Sequence, residues 1–417
     1  MEQVKANEEM KHTPLFRSMS FVTLWVATVV SSLSLSMFMF IQTWYVVDEL
    51  KMEASLGIVM ICLTVSRMFS MIIGGVLADK SKQTKIMFLS DSSRAILLLG
   101  LAIAFLFIME VPIWVLAINA AFFGVFGGLF EPARDSLLPK IVQSEQLTRA
   151  NSLIQGAIQV ALFSGPLLAG LLISIISYHV LLIFISLLLG IAGLSVLFIR
   201  INQGSSQEKK QNDRISFIQQ LKEGFVYTWE KPLLRALFTI TVITNLFISG
   251  PLMMGLPIFV ESVLKGDSLD FSFVQGGFTF GMIAGSIIIG IINLNRNRGA
   301  YALYLIALQG LGMLLFSQVK IIEIAIPVII LIGMLNPAIN IPLISLVQTY
   351  TDKNKVGRVM SLIRTGSLGL IPLSYAITSF LLGIGIKINV IMAWSSLPLL
   401  ISVTILFIGF PIMRKAE

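Results

Sequence analysis

The sequence predicts an all-α integral membrane protein whose twelve transmembrane helices fall into two halves of six. Three observations carry that expectation. Hydrophobic residues make up 56% of the 417 positions and charged residues only 12%, against about 25% charged in soluble domains. Apolar runs of roughly 20 residues, long enough to cross a ~30 Å hydrocarbon core as helices, recur from Phe21 almost to the C-terminus. These runs are apolar all round and too long for the roughly 10-residue alternating strands of a membrane barrel. Finally, a polar segment at 202–214, NQGSSQEKKQNDR, divides the runs into six and six.

The tail, residues 1–20, is polar and of mixed charge. It holds no short apolar stretch ending in a small-residue cleavage site, so the first span is expected to stay attached. The N-terminal half, residues 21–199, contains spans at Phe21 to Val46, Ala54 to Leu77, Ile86 to Ile108, Pro112 to Phe130, Asn151 to Ile176 and Val180 to Ile199. A linker, residues 200–232, carries the polar segment and then a stretch from Ser216 to Trp229 suited to a surface helix. The C-terminal half, residues 233–412, contains Ala236 to Ile258, Phe271 to Leu294, Tyr301 to Val319, Ile324 to Val347, Val359 to Ile384 and Ile388 to Ile412, and residues 413–417 form a short tail. Arg149-Ala-Asn-Ser152-Leu153 at the opening of the fifth span recurs as Arg358-Val-Met-Ser361-Leu362 at the opening of the eleventh, which points to internal duplication.

Charge fixes an expected orientation. Of the 30 lysines and arginines, Lys51, Lys265, Lys320 and Lys387 lie on one face and Arg67 and Arg94 within spans, while the rest fall in the tails and even-numbered loops. Positive charge gathers on the cytoplasmic side, so both termini are expected there, in a bacterial plasma membrane. The net charge of +8 is accounted for by topology and anionic lipid and calls for no nucleic-acid partner. The single cysteine, Cys62, and the two histidines, His12 and His179, supply no metal cluster, disulfide framework or Ser-His-Asp arrangement, so no enzyme chemistry, metal or cofactor is expected. Nor is there a Gly-x-x-x-x-Gly-Lys-Ser/Thr loop to hold ATP.

Gly75-Val-Leu77-Ala78-Asp79-Lys80, closing the second span, resembles the helix 2 to 3 signature of the major facilitator superfamily. The resemblance implies two six-helix halves around a central cavity and a gate in which Asp79, with Lys80 and Gly75, faces the region of Gly357 and Arg358. The basic residues common further along the signature are replaced by Gln83 and Thr84, and a lysine, Lys82, stands at its usual glycine. Ala161, Gly165-Pro166, Ala169 and Gly170 are similar to the helix-5 motif of the antiporter branches, and also suit simple close packing of helices. Phe130-Glu-Pro132-Ala133-Arg134, Leu138-Pro139 and Leu147-Thr-Arg-Ala150-Asn151-Ser152 look like the loop between helices 4 and 5 of macrolide-efflux and siderophore-export permeases.

Ionisable groups within the spans are costly unless paired or wet, which makes each a functional candidate. Arg67, Asp91 and Arg94 are expected to form either a switching network or a static lock, with Arg67 reaching Asp91. Asp91 and Glu131 are the candidate proton carriers, with Asp48 a third. The family's helix-4 arginine is missing from 115–130, where Asn119 is the strongest polar group. If the resemblance holds, helices 1, 4, 7 and 10 line the cavity with Phe38, Gln42, Trp44, Asn119, Phe122, Phe123, Phe126, Asn245, Met253, Met254, Met334, Asn336 and Asn340, a set suited to a bulky amphipathic molecule. The reading is a monomeric secondary transporter that exports a drug or siderophore-like small molecule against protons within membrane lipid. A lipid or glycolipid flippase of the same fold is the alternative, and a receptor a further one.

Overall fold

The computed structural model describes residues 15–199, 217–292, 297–352 and 354–409. The tail up to residue 14, the polar linker at 200–216 and the C-terminal tail lie outside the described residues. Twelve helices are long and apolar enough to cross a membrane: α1 Met19–Glu49, α2 Glu53–Ala78, α3 Gln83–Phe107, α4 Ile113–Ile141, α5 Leu147–Ile173, α6 Tyr178–Val196, α7 Pro232–Ser262, α8 Ser268–Ile292, α9 Arg298–Gln318, α10 Ile322–Tyr350, α11 Val356–Gly383 and α12 Ile388–Gly409. The expected surface helix forms over Phe217–Glu230. No strand occurs among the described residues.

Most spans end within a turn of where hydropathy alone places them. The exception is α4, which runs about three turns beyond Phe130, through Pro132 and Pro139, to Ile141. Phe130, Ala133, Leu137, Leu138 and Ile141 recur at helical spacing and are buried against Phe21 and Leu24 of α1, Ile86 and Met87 of α3, and Ile154 of α5. That apolar stripe continues the helix through prolines that would otherwise stop it, and places Glu131 inside a helix rather than in a loop.

The chain divides into two compact units, Met1–Ile41 with Cys62–Lys210, and Gln42–Ile61 with Gln211–Glu417. In the first unit α2 crosses α4 closely enough that a Cβ on Gly128 would lie 2.9 Å from Cβ of Ser70, and one on Gly124 3.2 Å from the Arg67 amide nitrogen. In the second unit α8 and α10 meet in the same way, since a Cβ on Gly285 would lie 2.8 Å from Cα of Met334. Glycines spaced by four let backbones touch where lipid offers no hydrophobic drive for association. The second and fourth helices of each set of six thus share a contact mode, as duplication requires.

The second unit also takes in the end of α1 and the start of α2. Trp44 stacks on Phe271 of α8 at 5.4 Å, Lys51 pairs with Glu261 of α7 at 2.9 Å, and Ser379 of α11 donates to the Ala54 carbonyl. The hydrogen bond from Lys51 to Glu261 raises the pKa of this ammonium above its ordinary value.

Inside α7 the ladder widens at 250–254, just where Pro251 withholds a backbone donor. Ser374 of α11 fills the gap: the Gly250 N–H donates to its Oγ at 2.6 Å, and that hydroxyl donates to the Leu246 carbonyl at 2.5 Å. A serine of one helix is thus spliced into the backbone of another, satisfying two groups that hydrocarbon would leave stranded. Ser374→Ala is expected to cost about 1–3 kcal/mol, read as a lower thermal unfolding midpoint in detergent, whereas Ser396→Ala, whose hydroxyl bonds only within its own helix, is expected to change it little.

Candidate functional site

Arg67, Arg94 and Arg364 lie within spans in three different environments. Gly127 and Gly128, adjacent on α4, face opposite neighbours. Gly128 receives α2 at Arg67, and Gly127 faces the side chain of Arg94 from α3, whose Nη1 would be 3.9 Å from an added Cβ.

Arg94 and Asp91 form the sealed pair. Their side chains are 2% and 0% exposed. Arg94 Nη2 donates to Asp91 Oδ1 and, at 2.7 Å, to Ser31 of α1, while Ser31 donates to the same carboxylate at 3.3 Å. The guanidinium carbon sits 5.5 Å from the ring centres of both Phe123 and Phe130, a placement that favours a cation. On the far side, Gly193 of α6 leaves room for Asp91, whose Cβ would be 3.1 Å from an added methyl. Four helices therefore close around one ion pair, though Asp91 Oδ2 and Arg94 Nε keep no protein partner.

Arg67 pairs instead with Glu131 of α4, which corrects the expected reach of Arg67 to Asp91. The α2–α4 crossing at Gly124 and Gly128 brings Arg67 alongside Glu131, while Asp91 is taken by a neighbour on its own helix. Both members of the Arg67–Glu131 pair are about a third exposed, at 31% and 30%. Each stands roughly 15 Å along its helix from the end shared by α2 and α4. It is a partly exposed charge pair well inside a span.

Arg364 lies inside α11 rather than in the loop before it, which corrects the expectation that only Arg67 and Arg94 stand within spans. It is exposed and lines a cavity of about 420 Å³ with Thr241, Asn340 and Gln348.

The remaining candidates fall as follows. The side chain of Asp79 lies outside the described residues; Lys80 is exposed and Gly75 has open space around it. Arg358 bonds Glu223 of the surface helix at 2.7 Å. Beside it, Tyr227 accepts the Asp352 N–H at 3.0 Å, and a hydrogen bond from this tyrosine, aided by Lys231, holds the Asp352 carboxyl below its usual range. Asp48 pairs with Lys51 at 3.1 Å. Gly165, Pro166 and Gly170 are buried, and a Cβ on Gly165 would meet Ser36 of α1 at 2.6 Å, so the helix-5 motif seats α5 on α1. Of the expected lining, Phe38, Phe123, Gln42, Trp44 and Met254 are buried in packing, with Phe38 and Phe123 in ring contact at 4.3 Å. Asn119 is also buried and donates to the Leu97 carbonyl at 3.0 Å. Phe122 and Met253 are exposed; Asn245 and Asn336 are half-buried, and Asn340 is exposed.

Twelve apolar spans in two sets that repeat a glycine-tight crossing, with one ion pair buried and another partly exposed, define a multi-pass membrane protein. The sequence model of the Major Facilitator Superfamily matches residues 24–372, and the chain belongs to that family of multi-pass membrane proteins. It is similar to macrolide efflux protein A of Enterococcus faecalis, 26% identical over 306 residues that cover 70% of this chain and 90% of the relative. The staphyloferrin A transporter of Staphylococcus aureus is 26% identical over 136 residues, 33% of this chain and 34% of that one. Among solved structures, the nucleoside transporter NupG aligns over 95% of this chain and 100% of its own at a TM-score of 0.72 and 13% identity, which speaks for the fold.

Removing one member of a sealed ion pair leaves the other charge uncompensated, at about 3–5 kcal/mol. Asp91→Asn is therefore expected to lower the unfolding midpoint and the membrane yield sharply. Glu131→Gln, at a partly exposed site, is expected to leave both close to wild type; equal losses in the two variants would contradict this division.

Proposed function

We propose that this transporter exports an amphipathic small molecule in exchange for protons by alternating access, working as a monomer in a bacterial plasma membrane with both termini in the cytoplasm. The macrolide-efflux and staphyloferrin A transporter relatives support the cargo class, since their names refer to macrolides and to staphyloferrin A. The observation that carries the coupling is the partly exposed pair of Arg67 and Glu131. A proton carrier must reach water and must have a competing partner for its charged form. Glu131 meets both conditions: protonation releases Arg67, and deprotonation recaptures it. Asp91, closed off by four helices, fits the static lock instead.

The test combines efflux and resistance assays in a sensitive bacterial host with a pH-sensing dye inside inverted vesicles. Export that drives proton movement in the wild type is expected to lose that coupling in Glu131→Gln. Asp79→Asn is expected to lose transport while still inserting. Proton movement undiminished in Glu131→Gln would remove the proposed carrier, and export with no proton movement in the wild type would remove antiport.

A further inference from the structure

The cavity around Arg364 is lined by no aspartate or glutamate, whereas Arg67 has Glu131 and Arg94 has Asp91. Arg364 stands eight residues into α11, about 12 Å along the helix, too deep to be a simple loop charge. Thr241, on α7, and Asn340, on α10, reach the same cavity from comparable depths of roughly 13–15 Å. Three helices of the second unit therefore present polar groups at one level.

The donors and acceptors around that level are unequal. Thr241 spends its hydroxyl proton on the Leu237 carbonyl at 2.9 Å. Asn340 gives its amide hydrogens to Asn336, at 3.0 Å to the carbonyl and 3.1 Å to the side chain. Arg364 is the cationic donor among the lining residues, which also include Gln348 and Ser367, with Leu343, Met360 and Leu368 adding apolar lining. A cation within a span marks a ligand path, and a planar guanidinium matches a carboxylate fork. Resting on the exporter reading above, we infer that this cavity is a binding site for the carboxylate of an anionic amphipathic substrate, held by Arg364 with Gln348 and Ser367, so that the transporter selects acids over cations.

Purified protein in liposomes, given 5(6)-carboxyfluorescein or rhodamine 6G, tests this. Wild type is expected to carry carboxyfluorescein in preference to rhodamine 6G, and Arg364→Gln to lose carboxyfluorescein transport by about 10- to 100-fold, mainly through KM. Arg364→Lys, which keeps the charge but not the fork, is expected to fall between. If Arg364→Gln does not assemble, excess citrate applied to the wild type decides, since competition with carboxyfluorescein is expected and its absence would overturn the site. Carboxyfluorescein carried equally well by Arg364→Gln, or wild type carrying only rhodamine 6G, would overturn the inference and leave the exporter standing. If neither dye moves, both fall.

Discussion

A charge inside a hydrocarbon layer must have a partner or water, and that constraint organises this molecule. With only 12% of its residues charged, the chain places three of its span arginines in three different environments. Arg94 is buried on Asp91 and two aromatic rings, Arg67 meets Glu131 where both stay partly exposed, and Arg364 opens onto a cavity without an acid. A sealed pair can hold helices but cannot exchange protons with solvent. A partly exposed pair can do both, and a cation facing a cavity without an acid awaits a charge from outside. The three assignments follow from one cost applied in three environments.

Backbone groups obey the same rule. Pro251 opens the α7 ladder, and Ser374 closes it from α11 by accepting from Gly250 and donating to Leu246. The glycines of α4 and α8 act alongside it. By bringing backbones into contact they give α2–α4 and α8–α10 their shared geometry, and in the first unit that contact delivers Arg67 to Glu131. Packing therefore precedes chemistry here: the site exists because small residues let two helices touch.

The twelve spans were legible because hydrophobic length is a strong signal that needs no tertiary information, and the family was legible in Gly75 to Lys80 and the stretch after Phe130. The far end of α4 was not, since Glu131-Pro132 reads locally as a loop and only the burial of Ala133, Leu137 and Leu138 reveals a helix. The partner of Arg67 was missed for a related reason. Reasoning from the α2–α3 hairpin favours Asp91, yet Gly124-x-x-x-Gly128 stood in the sequence as the mark of a closer α2–α4 contact. Arg364 was hidden by its proximity to the basic loop before α11, and the role of Ser374 has no sequence signature, because a serine in a membrane helix usually bonds its own backbone.

The sorting of charges by access to water is tested most directly by infrared difference spectroscopy of the carboxyl stretch as pH is stepped, with the protein in lipid. The account predicts a titrating protonated-carboxyl band that loses one component in Glu131→Gln and keeps that component in Asp79→Asn. A titrating band that survives Glu131→Gln and is lost instead when Asp91 is replaced by asparagine would contradict it.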